Sequence, residues 1–343
     1  MVDVVRRLDP ARFESVVCCI QAKGELAAEL EGAGITVHCL ERMRSKRFDW
    51  RAVRDLARLL RRERIALVHS HLYHANLYGR LAARLAGVPA VASVHNVYTR
   101  SKLHRRLLNR LLSRGSARVI AVSDDVRRDL VEQDGIDPAR VVTIRNGIDL
   151  RRVETGLSRQ EARARLAIPD DALAIGCVGR LEEQKGHRFQ LEAAARLDPD
   201  CKIFVVGDGR LRNELEAQAR GRVTFLGARS DVADILRALD IYVMPSLWEG
   251  LSIAMLEAMA AGLPLVISDV SGVAQAFGGE ECGIRVPPGD SAALAEAIRA
   301  LAQDPQRRQR LGEAARRRVR AEFDIEAMIA RLSAVYEDAC ASS

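Results

Sequence analysis

The sequence predicts an α/β protein made of two doubly wound, parallel-sheet domains. Short apolar runs alternate with amphipathic helical segments through both halves of the chain, the pattern of strands joined by crossover helices. At 343 residues the chain exceeds one ordinary core and suits two. A hydrophobic content of 48% supports folding throughout.

In the first half the strand-like runs are 14–20, 36–40, 66–71, 90–95, 118–123 and 141–145. The second half repeats the architecture without repeating the sequence, at 174–178, 202–206, 223–226, 241–244, 264–268 and 283–286. Between Gly147 and Pro169 a Gly-containing turn and a charged helix interrupt the strands, which places the joint there. The expected domains are therefore 1–150 and 151–324, with a last helix in 325–343 that crosses back to the first.

No run approaches the roughly 18 apolar residues of a membrane span, and no signal peptide opens the chain, so a cytoplasmic protein is expected. The seven cysteines have no metal-ligand spacing and suit a reducing compartment. Charge is uneven: residues 1–150 hold 27 Lys and Arg against 17 Asp and Glu, while the remainder holds 26 against 29. The basic excess is densest at 100–118, where Lys102, Arg105, Arg106, Arg110 and Arg114 interleave with Leu103, Leu107, Leu108, Leu111 and Leu112 at helical spacing. Such a helix suits an anionic membrane surface or the steering of an anionic substrate, and equally an ordinary solvated face. Nucleic acid is not expected, because the basic region lacks interleaved aromatics and only 4% of the chain is aromatic.

Ligands of open α/β sheets bind beyond the carboxyl ends of strands, so chemistry is sought there. Arg180 and Lys185 follow the run 174–178, and a rigid guanidinium fork beside a compact ammonium suits a diphosphate. Gly207-Asp208-Gly209 reads as a tight turn without the spacing of a dinucleotide fingerprint. His69, His71 and His74 superficially resemble a zinc site but lack a fourth ligand, and His95, at the end of the run 90–95, is better placed for the cleft. Asp198-Pro199-Asp200 precedes a strand, at the end away from the cleft, and reads as a turn.

The most informative stretch runs from Ser246 to Pro264. Glu249 precedes an apolar helix over 253–261 that ends at Gly262, and Glu257 lies within it. Gly250 permits a close backbone approach, and Ser252 is a suitable cap. The free N–H groups at the helix start suit a phosphate, with one carboxylate on its sugar side and the other toward a nucleoside. Taken alone, the stretch also fits a capped core helix with one buried, paired Glu.

The ordered set Val178-Gly179-Arg180, Lys185-Gly186, Gly207-Asp208-Gly209, Pro245-Ser246-Leu247-Trp248-Glu249-Gly250 and Glu257-Ala258-Met259-Ala260-Ala261-Gly262-Leu263-Pro264 resembles the second domain of family 4 glycosyltransferases. Val94-His95-Asn96, Val122-Ser123 and Asn146-Gly147-Ile148-Asp149 resemble motifs of the same family in order and spacing, so the likeness covers nearly the whole chain. The resemblance implies the GT-B fold of two Rossmann-like domains and sugar transfer with retention of configuration. It implies no metal and no cofactor, the nucleotide sugar being a substrate, with UDP ahead of GDP. Position by position it assigns Arg180 and Lys185 to the donor diphosphate, amides around Gly250, Leu251 and Ser252 to the phosphate, Glu257 to the ribose and Glu249 to the donor sugar. His95 would face the reacting sugar, and domain closure would exclude water.

Family members of this kind begin with a strand and a Gly-rich loop before a helix like residues 2–8, whereas this chain opens on that helix. In a sheet of order 3-2-1-4-5 the first strand is central, so either the remaining strands close up or the start lies upstream. The upstream start is the expectation, and activity would depend on it. The expected function is a retaining hexosyltransferase that uses a nucleotide-sugar donor and a cell-envelope, polysaccharide or lipid-linked acceptor. An epimerase of the same fold or an inactive binding paralogue are the alternatives.

Overall fold

The computed structural model describes residues 1–24, 26–43, 48–95, 103–270, 273–278 and 281–341. Two compact units emerge, Met1–Arg145 with Glu326–Ser343, and Asn146–Ile325.

In the first unit, β1 (Val16–Cys19) pairs in parallel with β2 (Thr36–Cys39). A separate parallel sheet holds β3 (Val68–His71), β4 (Ala90–Val94), β5 (Arg118–Ala121) and β6 (Val141–Thr143), in the order β3-β4-β5-β6. All five residues of β4 are buried, as the apolar run of a strand covered on both faces requires. β1 and β3 are not hydrogen-bonded neighbours, so the strands do not close up. What joins the two sheets is apolar packing. Val53, Leu56 and Leu60 of helix Trp50–Arg62 and Tyr78 of helix Tyr73–Ala86 form a cluster against which Cys18, Leu40 and Val68 lie. The last helix, Ile325–Ala341, packs Leu332, Tyr336 and Ala339 against Val91, Ile120 and Ile144.

The basic segment is shorter as a helix than its composition suggests. The helix is Leu103–Ser113; Arg114 follows it and Arg118 opens β5, because strand pairing with β4 claims that residue. Arg100 and Lys102 lie outside the described residues, as does Asn96 of the Val94-His95-Asn96 motif.

The second unit is one six-stranded parallel sheet: β7 (Ala174–Val178), β8 (Lys202–Val206), β9 (Thr224–Gly227), β10 (Ile241–Met244), β11 (Leu265–Ser268) and β12 (Gly283–Val286). Its order is β12-β11-β10-β7-β8-β9, so the winding reverses between β7 and β10. Beyond the carboxyl ends of those two strands the chain passes to helices on opposite faces of the sheet, and the crevice at that point is where such sheets hold ligands. Helix Ile253–Ala260 follows β10, capped by Ser252, and Gly262 at φ +79° ends it in a left-handed turn.

Candidate functional site

The loop after β7 and the loop after β10 meet at the switch point, and glycines let them approach. Gly186 has φ +62°, and a Cβ there would stand 2.1 Å from the Pro245 carbonyl oxygen. The backbone N–H of Leu247 donates to the Gln184 carbonyl at 2.8 Å, and the Gln184 side-chain amide donates to the Trp248 carbonyl at 3.0 Å. This clamp brings Lys185 Nζ to 2.5 Å from Glu249 Oε1. Ser246 Oγ donates to the same carboxylate oxygen at 3.0 Å. Glu249 is buried and Lys185 nearly so, which strengthens the pair relative to one in bulk water.

Arg180 projects from the same loop in another setting. Its side chain is exposed and, among the described residues, has no hydrogen-bond or ion-pair partner, leaving its donors available to a ligand. Its backbone is held: His187 Nε2 lies 3.1 Å from the Arg180 carbonyl, and the Leu181 N–H donates to the Asp208 carbonyl at 3.0 Å. Gly207-Asp208-Gly209 is thus more than a turn. A Cβ on Gly207 would stand 2.0 Å from the Gly179 carbonyl oxygen, so glycine there lets the two loops touch.

Gly250, Leu251 and Ser252 are buried at the start of helix Ile253–Ala260, where Ser252 Oγ accepts the Met255 N–H at 3.4 Å. Amides that begin a helix have no intrahelical acceptor and carry the positive dipole end, so they suit an anion. Glu257 is half-buried one turn into the helix, close enough to Tyr242 for its charge to oppose ionisation of that phenol. Burial pushes the Cys177 thiol up to about 12, so this cysteine beside the site stays protonated near pH 7. A carboxylate paired with an ammonium, a second cation and a helix start at one crevice, with Glu257 one turn along that helix, form an arrangement suited to a polyhydroxylated, diphosphate-bearing molecule.

In the first unit, His95 follows β4 and His71 ends the neighbouring β3; His71 Nδ1 lies 3.0 Å from His95 Nε2. Burial, with His95 beside it, pushes His71 down to about 3, and burial pushes His95 down to about 4, so both are neutral near pH 7. His69 is engaged separately, 2.6 Å from Tyr336 Oη and 2.7 Å from Ser93 Oγ.

The structure brings Lys185, Glu249, Gly250, Leu251 and Ser252 together on the second unit and sets Arg180 on the same β7 loop. His95 stands on the first. Sequence reasoning missed Ser246, Gln184 and the partnership of His71 with His95. Gln184 gives no local signal, because it lies in a polar run; Ser246 and His71 sit beside singled-out residues, and their contacts depend on which strands are adjacent.

The comparisons with known proteins agree on one family. Residues 1–152 match the model of Glycosyltransferase Family 4, and residues 158–318 that of Glycosyl transferases group 1. The chain is 32% identical to the UDP-Gal:alpha-D-GlcNAc-diphosphoundecaprenol alpha-1,3-galactosyltransferase of Escherichia coli, over 65% of this chain and 63% of that one. It is 30% identical to the alpha-D-kanosaminyltransferase of Streptomyces kanamyceticus, over 81% of this chain and 79% of the other. With the E. coli protein and a putative glycosyltransferase of Bacillus subtilis, the match spans 63% and 57% of the relative's length. In fold it is similar to Anabaena HepE, solved in complex with UDP-glucose, with a TM-score of 0.87 and 22% identity over 98% of this chain and 94% of that one.

Proposed function

The chain belongs to the family 4 glycosyltransferases of the GT-B fold, and from that premise we propose that it moves a hexose or related sugar from a nucleotide-sugar donor to a cell-envelope or polysaccharide acceptor, working from the cytoplasm. The observation that carries this reading is the Lys185–Glu249 pair at the β7/β10 switch point. A donor entering there meets the free Arg180 guanidinium and the Lys185 ammonium with its diphosphate. Amides from Gly250 to Ser252 add to the phosphate binding, Glu249 takes hydroxyls of the sugar and Glu257 those of the ribose. His95 is assigned to the reacting sugar through the family motif alone.

In the proposed reaction the bond between the anomeric carbon and the diphosphate oxygen breaks as the acceptor oxygen bonds to that carbon. The acceptor attacks on the face the diphosphate leaves, and its proton passes to the departing phosphate oxygen, so configuration is retained. Negative charge grows on the diphosphate during this step. Fixed cations and N–H groups lower the barrier because they need no reorganisation as that charge develops, and the reading requires no metal. UDP is favoured as the nucleotide, in line with the donor in the name of the E. coli relative, and the acceptor is lipid-linked as that name states for its own.

Calorimetric titration with a panel of UDP- and GDP-sugars tests the donor reading, and failure to bind any of them sinks it. Nuclear magnetic resonance of the product tests retention, which an inverted anomeric centre excludes. Donor converted to an epimer without acceptor would replace transfer by epimerisation.

A further inference from the structure

Two of the three histidines gathered along β3 and the end of β4 lack the partners that a structural histidine acquires. Ser93 of β4 is in register with His71 of β3, and side chains alternate along a strand, so His69, His71, Ser93 and His95 fall on one face of the sheet. His69 is satisfied at both ring nitrogens, by Tyr336 Oη and Ser93 Oγ. His71 and His95 share only the 3.0 Å contact of His71 Nδ1 with His95 Nε2. Among the described residues, His71 Nε2 and His95 Nδ1 have no hydrogen-bond partner.

This contact is supported on both sides. The His69 ring, fixed at each nitrogen, has its centroid 4.1 Å from that of His71. Leu72, the next residue, takes φ +69° and ψ 163°, a backbone region that costs a leucine about 1–3 kcal/mol and persists only where its surroundings impose it. The chain therefore leaves β3 in a strained turn just where His71 meets His95. Burial holds both rings neutral near pH 7, so one N–H and one bare nitrogen make the contact.

We propose that His71 is a positioning residue for sugar transfer: its bare Nδ1 accepts the Nε2–H of His95, which fixes the His95 ring and leaves His95 Nδ1 bare as the acceptor for a hydroxyl of the reacting sugar. This role rests on the assignment of His95 to that sugar. A bare nitrogen suits the place. The anomeric carbon gains positive charge as its bond to the diphosphate breaks, and an N–H dipole beside it would oppose that charge. His71 acts only through His95, because the bond made at one imidazole nitrogen decides whether the other carries the proton. A ring held in one orientation and one tautomer before the donor arrives need not reorganise during the step.

The test uses the full chain with 15N-labelled histidine, the His95 signals being assigned by comparison with His95→Gln. Nuclear magnetic resonance is expected to show a protonated Nε2 and a bare Nδ1 in His95. His71→Phe keeps a ring without an acceptor and should move the two His95 shifts toward each other. His71→Asn places its amide oxygen one bond from Cγ, where Nδ1 stands, and should restore their separation; His71→Gln carries its oxygen one bond farther and should not. Release of UDP from the UDP-sugar that binds most tightly should follow the same order. In the Phe and Gln chains kcat should fall about tenfold with KM within about twofold, and Asn should recover most of the loss. A protonated Nδ1 in His95, an unchanged kcat in the Phe chain, or losses that track melting temperature and not the position of the acceptor overturn the proposal. Calorimetry with UDP-sugars separates the two readings. A chain that binds none of them sinks transfer and this role with it, whereas donor binding and turnover with His95 signals that ignore residue 71 sink the positioning role alone.

Discussion

Lys185 and Glu249, 64 residues apart in sequence, lie 2.5 Å apart between Nζ and Oε1. Each is a residue assigned to the donor, and in this structure each neutralises the other. A nucleotide sugar arriving at the crevice therefore exchanges one set of polar contacts for another, and the site is arranged before the ligand arrives.

Glu249→Gln should separate structural from functional roles. The amide keeps a partner for Ser246 Oγ but leaves the Lys185 ammonium without its counter-charge, so stability should fall by about 1–3 kcal/mol, less than the roughly 3–5 kcal/mol of a fully buried broken pair because Lys185 keeps some water. Turnover should fall about 100-fold or more if the carboxylate holds the sugar in the transition state. Urea denaturation and steady-state kinetics on the same preparation check both outcomes; full turnover would remove Glu249 from the site.

Arg180→Ala should show the reverse balance. The guanidinium is exposed and unpaired among the described residues, so its removal should shift stability by no more than about 0.5 kcal/mol. Affinity for a nucleotide-sugar donor should fall by about tenfold or more through lost charge-assisted hydrogen bonds to phosphate. Paired thermal melts and calorimetric titrations measure the two effects, and an unchanged dissociation constant would contradict the diphosphate assignment.

Gly186→Ala tests the close approach of the two loops. The new methyl meets the Pro245 carbonyl oxygen, and the position has φ +62°, so neither the space nor the backbone suits it. A loss of about 2 kcal/mol or more in stability, with weaker donor binding, is expected from the displaced Lys185–Glu249 pair. Equilibrium unfolding that matches the unaltered chain would show that the loops can part without cost.

Acidification should weaken the fold of the first unit through its histidines. His95 and His71 are held neutral, their folded pKa values near 4 and 3 lying below the ordinary value of 6.5 for an unfolded chain. Between those limits the unfolded chain binds more protons than the folded one, so stability is full above about pH 6.5 and is lost as pH falls toward 4. Circular-dichroism melts across that window should show a falling midpoint, with a shallower fall in His71→Gln; a midpoint independent of pH would exclude the linkage.

Much of this was legible in the residues themselves. Each of the twelve described strands falls on a run recognisable by its apolar pattern, and the helix from Ile253 begins and ends where Ser252 and Gly262 mark it. Glu249 and Glu257 stood out because of the capped helix start between them. Gln184, Ser246 and His71 did not stand out for the contacts they make, since those depend on neighbours supplied by other strands. The sheet in the first unit shows the same limit, because recognising β1 and β3 as strands does not say whether they pair.

Sequence alone determined the local grammar: strands by alternation and apolar runs, helices by period and caps, and glycines where the chain must turn or touch. It also set two leucine rows on one basic helix, 103/107/111 and 108/112, without saying which faces inward. Tertiary structure decided that question, half-burying the row beside Asn109 and leaving the other in solvent. It decided the site in the same way, because β7 and β10 become neighbours only in the folded sheet and their loops then bring Lys185 to Glu249. Periodicity acts over a few residues, whereas the choice of partner depends on the packing of the whole sheet.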